Sequence, residues 1–208
     1  MRIVNPYLDY FYSLPPECRR DKLVPLDGRE SWSPPWLQFK SSVASTYAWA
    51  VPTRTAVAAI AAHTSRVVEV GCGSGYWAWL LEQAGVDVLA IDTTPPPVAW
   101  HAVQLGTELE VAKHPDRTLF LCWPPWASEM AYNALSRYRG ELVVYVGEWM
   151  GGSAEPRFFS LLAQEYEEAD RVDIPQWYMR ADRLTIWRAR RRRPTPGSGA
   201  PAPASGSR

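Results

Sequence analysis

"VVEVGCGSGYW", Val67–Trp77, decides how the chain is read. Its first residues are β-branched and suit a short buried strand. Gly71, Gly73 and Gly75 follow at alternate positions, and "YWAWLLEQAG" then shows a helical pattern with Trp77, Leu80, Leu81 and Ala84 on one face and Gly85 as its stop. A strand that passes through such a turn directly into a helix lets backbone approach a ligand where a Cβ would collide. The spacing is not that of a dinucleotide fingerprint, whose third glycine would fall at position 76, which is Tyr76. Glu69 stands two residues ahead of the turn, and the next strand, "VDVLAID", ends in Asp92. An acidic side chain there can accept hydrogen bonds from both hydroxyls of a ribose.

The alternation continues on both sides of this stretch. Upstream, Val57, Ile60 and Ala61 recur at helical spacing in "TRTAVAAIAAH". Downstream come a weak strand near "HAVQLG", a short helix "TELEVAKH", a strand "RTLFLCW", a helix "SEMAYNALSRY", a strand "ELVVYVGE" and a helix "EPRFFSLLAQEYEE". The strands "RVDIP" and "RLTIWRAR" close the pattern. Strands alternating with helices imply parallel pairing through helical crossovers, and a terminal strand pair can form an antiparallel edge. The expected fold class is α/β: a doubly wound, mostly parallel Rossmann-like sheet of about seven strands with an antiparallel edge strand, in a three-layer sandwich. Residues 1–46 read as a Pro- and Trp-rich cap or lid, residues 47–193 as the ligand-binding domain, and residues 194–208, "PTPGSGAPAPASGSR", as a disordered tail.

Bulk properties narrow the function. A chain of 208 residues accommodates one well-buried core plus attachments. The formal charge is zero, but six of the 22 basic residues lie from Arg188 onward, leaving 16 basic against 22 acidic in residues 1–187. A body of that sign argues against a phosphate backbone as partner. Cys18, Cys72 and Cys122 are widely spaced and have no metal-ligand pattern around them, so reduced core thiols and no metal are expected. No apolar run approaches a membrane span and no signal-type leader is visible, which gives an expectation of a cytoplasmic protein.

"EVGCGSG", the strand-terminal Asp92 and the order of elements ending in an antiparallel pair resemble the class I S-adenosylmethionine-dependent methyltransferases over residues 47–190. By that resemblance Gly71, Gly73 and Gly75 shape a turn around the methionine and ribose of the cofactor. Glu69 orients the turn or approaches the amino group, and Asp92 binds the ribose hydroxyls. The adenine contact expected after the third strand is not recognisable, and Gln104 and Leu105 are the candidates for it. "YAWAVPTRTAVAAIA", "HPDRTLFLCWPPW" and "YVGEWMGG" further resemble a small-molecule branch of the superfamily, whose acceptors the resemblance does not supply.

"LFLCWPPW", Leu119–Trp126, lies close to the Asp/Asn-Pro-Pro-aromatic signature of enzymes that methylate amino groups on nucleic acids, with Trp123 where the polar residue should stand. In those enzymes the polar residue accepts a hydrogen bond from the target amine and the aromatic stacks on the base. Tryptophan is a donor only, so that role is closed to Trp123. Two readings stay open: an aromatic wall at the methyl-transfer position, or a stiff loop of structural purpose. The strand ends are unusually aromatic, with Trp123 placed beside the cofactor and Tyr47, Trp49, Trp126 and Trp149 toward a substrate. Methyl transfer is an in-line displacement that needs alignment and exclusion of water, for which effective molarities of about 10⁵ M are available. Ring faces also attract a cation by roughly 0.5 to 2 kcal/mol each.

Glu148, directly after "LVVYVG", is the candidate general base. His63, His101 and His114 suit surface or capping roles better, and Asp9, Tyr10 and Asp21 are candidates for a lid. The expected function is methylation of a small molecule by S-adenosylmethionine. The alternatives are a methyltransferase-like enzyme catalysing another displacement, cyclisation or hydrolysis, a non-catalytic binding or scaffold protein, and a nucleic-acid methyltransferase. A small-molecule substrate is the expected partner, with no nucleic acid and no membrane; a protein partner or homodimer is left open.

Overall fold

The computed structural model describes residues 3–15, 18–20, 37–178 and 180–190. Asp21, most of the proline-rich stretch and the tail at 194–208 lie outside the described residues. Helix α1 (Pro6–Ser13) starts on Asn5, whose side chain accepts the Leu8 N–H, with proline in the first turn. A two-residue strand β1 (Arg19–Arg20), α2 (Leu37–Thr46) and α3 (Arg54–His63) come next, the last capped by the Thr53 side chain.

The regular alternation begins at β2 (Arg66–Val70) and runs through α4 (Tyr76–Gln83), β3 (Asp87–Asp92), β4 (Val103–Leu105), a 3₁₀ turn (Glu108–Lys113) and β5 (Thr118–Cys122). It continues with α5 (Met130–Arg137), β6 (Leu142–Glu148), α6 (Pro156–Glu165), β7 (Tyr166–Asp173), the short β8 (Gln176–Trp177) and β9 (Asp182–Ala189). The seven-stranded sheet has the order β4-β3-β2-β5-β6-β9-β7, while β1 and β8 form a separate antiparallel ladder. Strands β2 to β6 pair in parallel, and β9 pairs antiparallel with both β6 and β7. The closing antiparallel pair is thus β9 with the edge strand β7.

Successive residues of the central strands point to opposite faces, and both faces are covered, as parallel sheets require. Val67, Phe120, Val144, Val146, Leu184 and Ile186 pack with α3 and α4 in one apolar cluster. Val68, Leu119, Leu121, Val143 and Tyr145 pack with α5 and α6 in the other. Within the stretch read as a cap or lid, Tyr7 and Phe11 of α1 are fully buried and pack with Tyr76 and Trp177. The Tyr76 hydroxyl explains why a tyrosine follows the glycine turn. It accepts the Tyr7 N–H at 3.0 Å and donates to Asn5 at 2.8 Å, fastening α1 to α4.

One boundary differs from expectation. The helix read through Glu168 stops at Glu165, and Tyr166 opens β7 instead. The polar run that follows is an exposed edge strand with a bulge between Glu168 and Asp170, and only its pairing with β9 makes it a strand. Among the described residues no helix is long and apolar enough to cross a membrane.

Candidate functional site

Chain connections reverse direction between β2 and β5, and at such a switch point a parallel sheet leaves a crevice beyond its carboxyl ends. Here it is a cavity of about 600 Å³. The glycine turn forms one side of it. Gly71, Gly73 and Gly75 all take left-handed backbone, with φ of +68°, +54° and +71°. The Gly71 and Cys72 N–H groups donate to the Ile91 carbonyl, and the Gly73 N–H donates to Asp92 Oδ2 at 2.8 Å. Asp92 Oδ1 accepts the Thr94 N–H, also at 2.8 Å. Asp92 therefore clamps the turn to β3 while each carboxylate oxygen keeps acceptor capacity for a ligand. A Cβ on Gly73 would meet no atom within 4 Å, because that side of the residue is open cavity.

Glu69 projects from β2 toward the same space and is 2% exposed. Its Oε2 has no hydrogen-bond partner. Burial pushes the carboxyl up to about 8, opposed by a hydrogen bond from the Ala78 backbone and assisted by the charge of Asp92.

The chain after α2 supplies a second wall, containing Tyr47 and Trp49. It is tied to the glycine turn by Ser74 Oγ, which donates to the Tyr47 carbonyl, and to the loop after β3 by the Trp100 indole, which donates to the Thr46 carbonyl. Tyr47 stacks on Tyr7 at 4.8 Å and on Trp100 at 5.6 Å. Opposite stand Trp123, Pro124 and Pro125 at the end of β5, with Trp49 and Trp123 stacked at 5.8 Å and 26°. The carboxylates lining the cavity are Glu69, Asp92, Glu108 and Glu129, and among the described residues no Lys, Arg or His lines it. Acidic side chains with no cation among the lining residues suit a positively charged ligand.

The structure brings together Glu69, Gly71, Gly73, Asp92, Trp123, Tyr47 and Trp49 around one cavity. Gly75 lies beneath the turn as the residue that opens α4. Glu148 does not line the cavity. Its Oε2 accepts the Gly152 N–H, its Oε1 accepts the Ala181 N–H, and Arg180 lies 3.5 Å away, so the carboxylate is engaged in shaping its own loop rather than facing a substrate. Trp126 is 60% exposed outside the lining. Trp149 stacks on Trp187 at 5.2 Å and borders a separate cavity of about 90 Å³. Gln104 and Leu105 are exposed, and Gly106 and Glu108 of the following turn line the cavity instead. His63, His101 and His114 stay outside it, as do Asp9 and Tyr10 of the expected lid, both exposed on α1.

Sequence reasoning passed over Glu108, Lys40 and Asp182. Glu108 follows Thr107, whose hydroxyl caps the 3₁₀ turn, and that Thr-Glu pair was the available signal. Lys40 and Asp182 are buried polar residues from distant elements that meet behind Trp123, and no local pattern marks them. Among the described residues no cluster of His, Cys, Asp and Glu is arranged to hold a metal ion.

No family model matches the sequence, and no curated protein does. Solved structures do resemble it. The 1,6-didemethyltoxoflavin-N1-methyltransferase of Burkholderia thailandensis, crystallised with 1,6-didemethyltoxoflavin and S-adenosylhomocysteine, superposes with a TM-score of 0.50 at 17% identity. The match covers 82% of this chain and 94% of that one. The fold is that of the class I S-adenosylmethionine-dependent methyltransferases. The magnesium protoporphyrin IX methyltransferase of Synechocystis PCC 6803, with bound S-adenosylmethionine, is similar at a TM-score of 0.49 and 13% identity, covering 77% of this chain and 87% of that one.

Proposed function

We propose that this protein transfers a methyl group from S-adenosylmethionine to a small-molecule acceptor. The observation that carries the reading is a glycine turn tied to β3 by Asp92, with Glu69 beside it carrying an unpartnered buried oxygen, all of them lining one cavity. The cofactor supplies a methyl group on a positively charged sulfur. The residues present fit such a molecule. Glu69 receives its ammonium group, Asp92 the ribose hydroxyls and Glu108 the adenine amino group, while the glycine turn beds the chain between them. Tyr47, Trp49 and Trp123 wall off the acceptor end, where they exclude water and hold the acceptor in line. Residues 47–190 carry the cofactor site, and the end of α2 with the chain leading to Trp49 closes over it.

A small acceptor is favoured over a nucleic acid because the lining carries four carboxylates and the body an excess of acid. Glu148 is left out of the chemistry in this reading because it does not line the cavity. Calorimetric titration with S-adenosylmethionine and S-adenosylhomocysteine tests the reading. The protein as it stands should bind both, and Asp92→Ala should weaken both by about tenfold or more. Absence of binding by the parent protein overturns it. Isotope-labelled methyl donor then follows the reaction: the label moves to an acceptor if the chemistry is methyl transfer, and stays with sulfur if the reaction is of another kind.

A further inference from the structure

Trp123 is an expensive residue in its position. Its backbone is left-handed, at φ +52°, a strained conformation for a residue that carries a Cβ. It is held there from two sides: its N–H donates to the Val146 carbonyl at 2.8 Å and its indole N–H donates to Asp182 Oδ1 at 2.7 Å. Asp182 is itself fixed, because Gln176 accepts its N–H and donates to its carbonyl. Lys40 Nζ lies over three rings, 5.4 Å from Trp123, 5.6 Å from Trp49 and 5.8 Å from Trp177, and the Arg180 guanidinium lies 5.2 Å from Trp123.

Lys40 is 3% exposed and Asp182 0%. Lys40 Nζ, Asp182 Oδ2 and Arg180 Nε all lack hydrogen-bond partners. Burying such groups half-satisfied costs stability that apolar residues of the same size would not, so packing alone does not account for them. What the arrangement achieves is orientation. The indole N–H is turned to Asp182, and Trp123, whose ring stacks on Trp49, lines the cavity.

We propose that Asp182 and Lys40 are positioning residues of the acceptor site: they lock Trp123 and Trp49 as ring faces, so that the acceptor is chosen as a flat ring by stacking and not through a hydrogen bond to Trp123. The proposal rests on the methyltransferase reading for the word acceptor, but the stacking site can be measured without turnover. Stacking of one ring is worth about a tenfold gain in affinity or more. Burial pushes the Asp182 carboxyl above its usual range, partly offset by Lys40, and lowers Lys40, partly offset by Asp182. Glu148, Arg180, Tyr7, Tyr145 and Cys122 are the other titratable groups facing the pair.

The test uses the full chain saturated with S-adenosylhomocysteine and two uncharged probes of one skeleton, flat 2-naphthol and puckered 2-decalol. The flat probe should bind about tenfold tighter. Asp182→Leu and Lys40→Met should each weaken 2-naphthol by about tenfold while changing the affinity for S-adenosylhomocysteine less than about twofold, and Asp182→Asn, which keeps an acceptor for the indole, should recover most of the loss. In protein labelled with ¹⁵N at the indoles, the Trp123 signal, identified by Trp123→Phe, should resist hydrogen exchange in the parent and Asp182→Asn proteins. This readout and Lys40→Met keep the test decisive if Asp182→Leu does not fold. Equal binding of the two probes, parallel loss of probe and S-adenosylhomocysteine, or a freely exchanging Trp123 indole overturns the proposal. A parent protein that binds 2-naphthol but not S-adenosylhomocysteine removes the methyltransferase reading and leaves the stacking site standing.

Discussion

Cofactor binding should release a proton, and the source should be Glu69. Burial holds this carboxyl at about 8, and Glu69 lines the cavity with one buried oxygen unpartnered. At pH 7 a group of that pKa is about nine-tenths protonated. An ammonium group arriving against it favours the ionised form, so docking S-adenosylhomocysteine should expel about 0.9 proton per molecule bound. The binding enthalpy is measured in buffers of different ionisation enthalpy, and the slope gives the number of protons. It should fall as the pH rises through about 8, where Glu69 ionises before the ligand arrives, and vanish at pH 7 in Glu69→Gln. Stability follows the same residue. The folded carboxyl lies above its unfolded value of 4.5, so its contribution is fully present below about 4.5 and is lost as the pH rises through about 8. A thermal melting series across that window should fall in the parent and flatten in Glu69→Gln. A buffer-independent enthalpy in the parent, or an undiminished proton count in the variant, refutes the assignment of Glu69 to the ammonium group.

Other residues separate binding from folding. Gly73→Ala places a methyl group in open cavity at φ +54°, so it should cost only about 1 kcal/mol in denaturant unfolding while weakening S-adenosylhomocysteine by about tenfold or more. Glu148→Gln should do the reverse, lowering stability by about 1–3 kcal/mol through its bonds to the Gly152 and Ala181 N–H groups and leaving S-adenosylhomocysteine affinity within about twofold. Tyr76→Phe removes the hydroxyl between Tyr7 and Asn5. Unfolding should become easier by about 1–3 kcal/mol, and native-state hydrogen exchange should show the loss first at Tyr7.

What the sequence made legible is what local physics determines. Strand, glycine turn and helix follow one another without a break from Arg66 to Gln83, and Asp92 ends the very next strand, so spacing alone brings Gly71, Gly73, Glu69 and Asp92 to one cavity. The stretch 166–168, read as the end of a helix, shows where that reasoning stops. The residues are polar and continue a helical pattern, and only the ladder with β9 makes them extended. The site divides along the same line. A carboxylate was expected at the carboxyl end of β6, and Glu148 is there. Its cross-strand partner is Asp182, the first residue of β9, which runs the other way and so presents its start at the same rim. It is Asp182 that reaches the Trp123 indole. No pattern within one strand tells which member of a cross-strand pair faces a neighbour on a third.

Asp182 also recasts "LFLCWPPW". An Asp or Asn before two prolines offers an acceptor to an incoming amine, and Trp123 in that place has none to offer. A carboxylate nevertheless stands within hydrogen-bond reach of the motif, supplied by β9 from across β6, and one of its oxygens is taken by the indole N–H. Polar recognition at this corner is thus turned inward, to hold a ring in a strained backbone, with Lys40 and Arg180 over the same ring. The prolines keep the loop stiff on the cavity side. A ring held this firmly loses little freedom when a ligand stacks on it, and that saving favours flat acceptors over flexible ones.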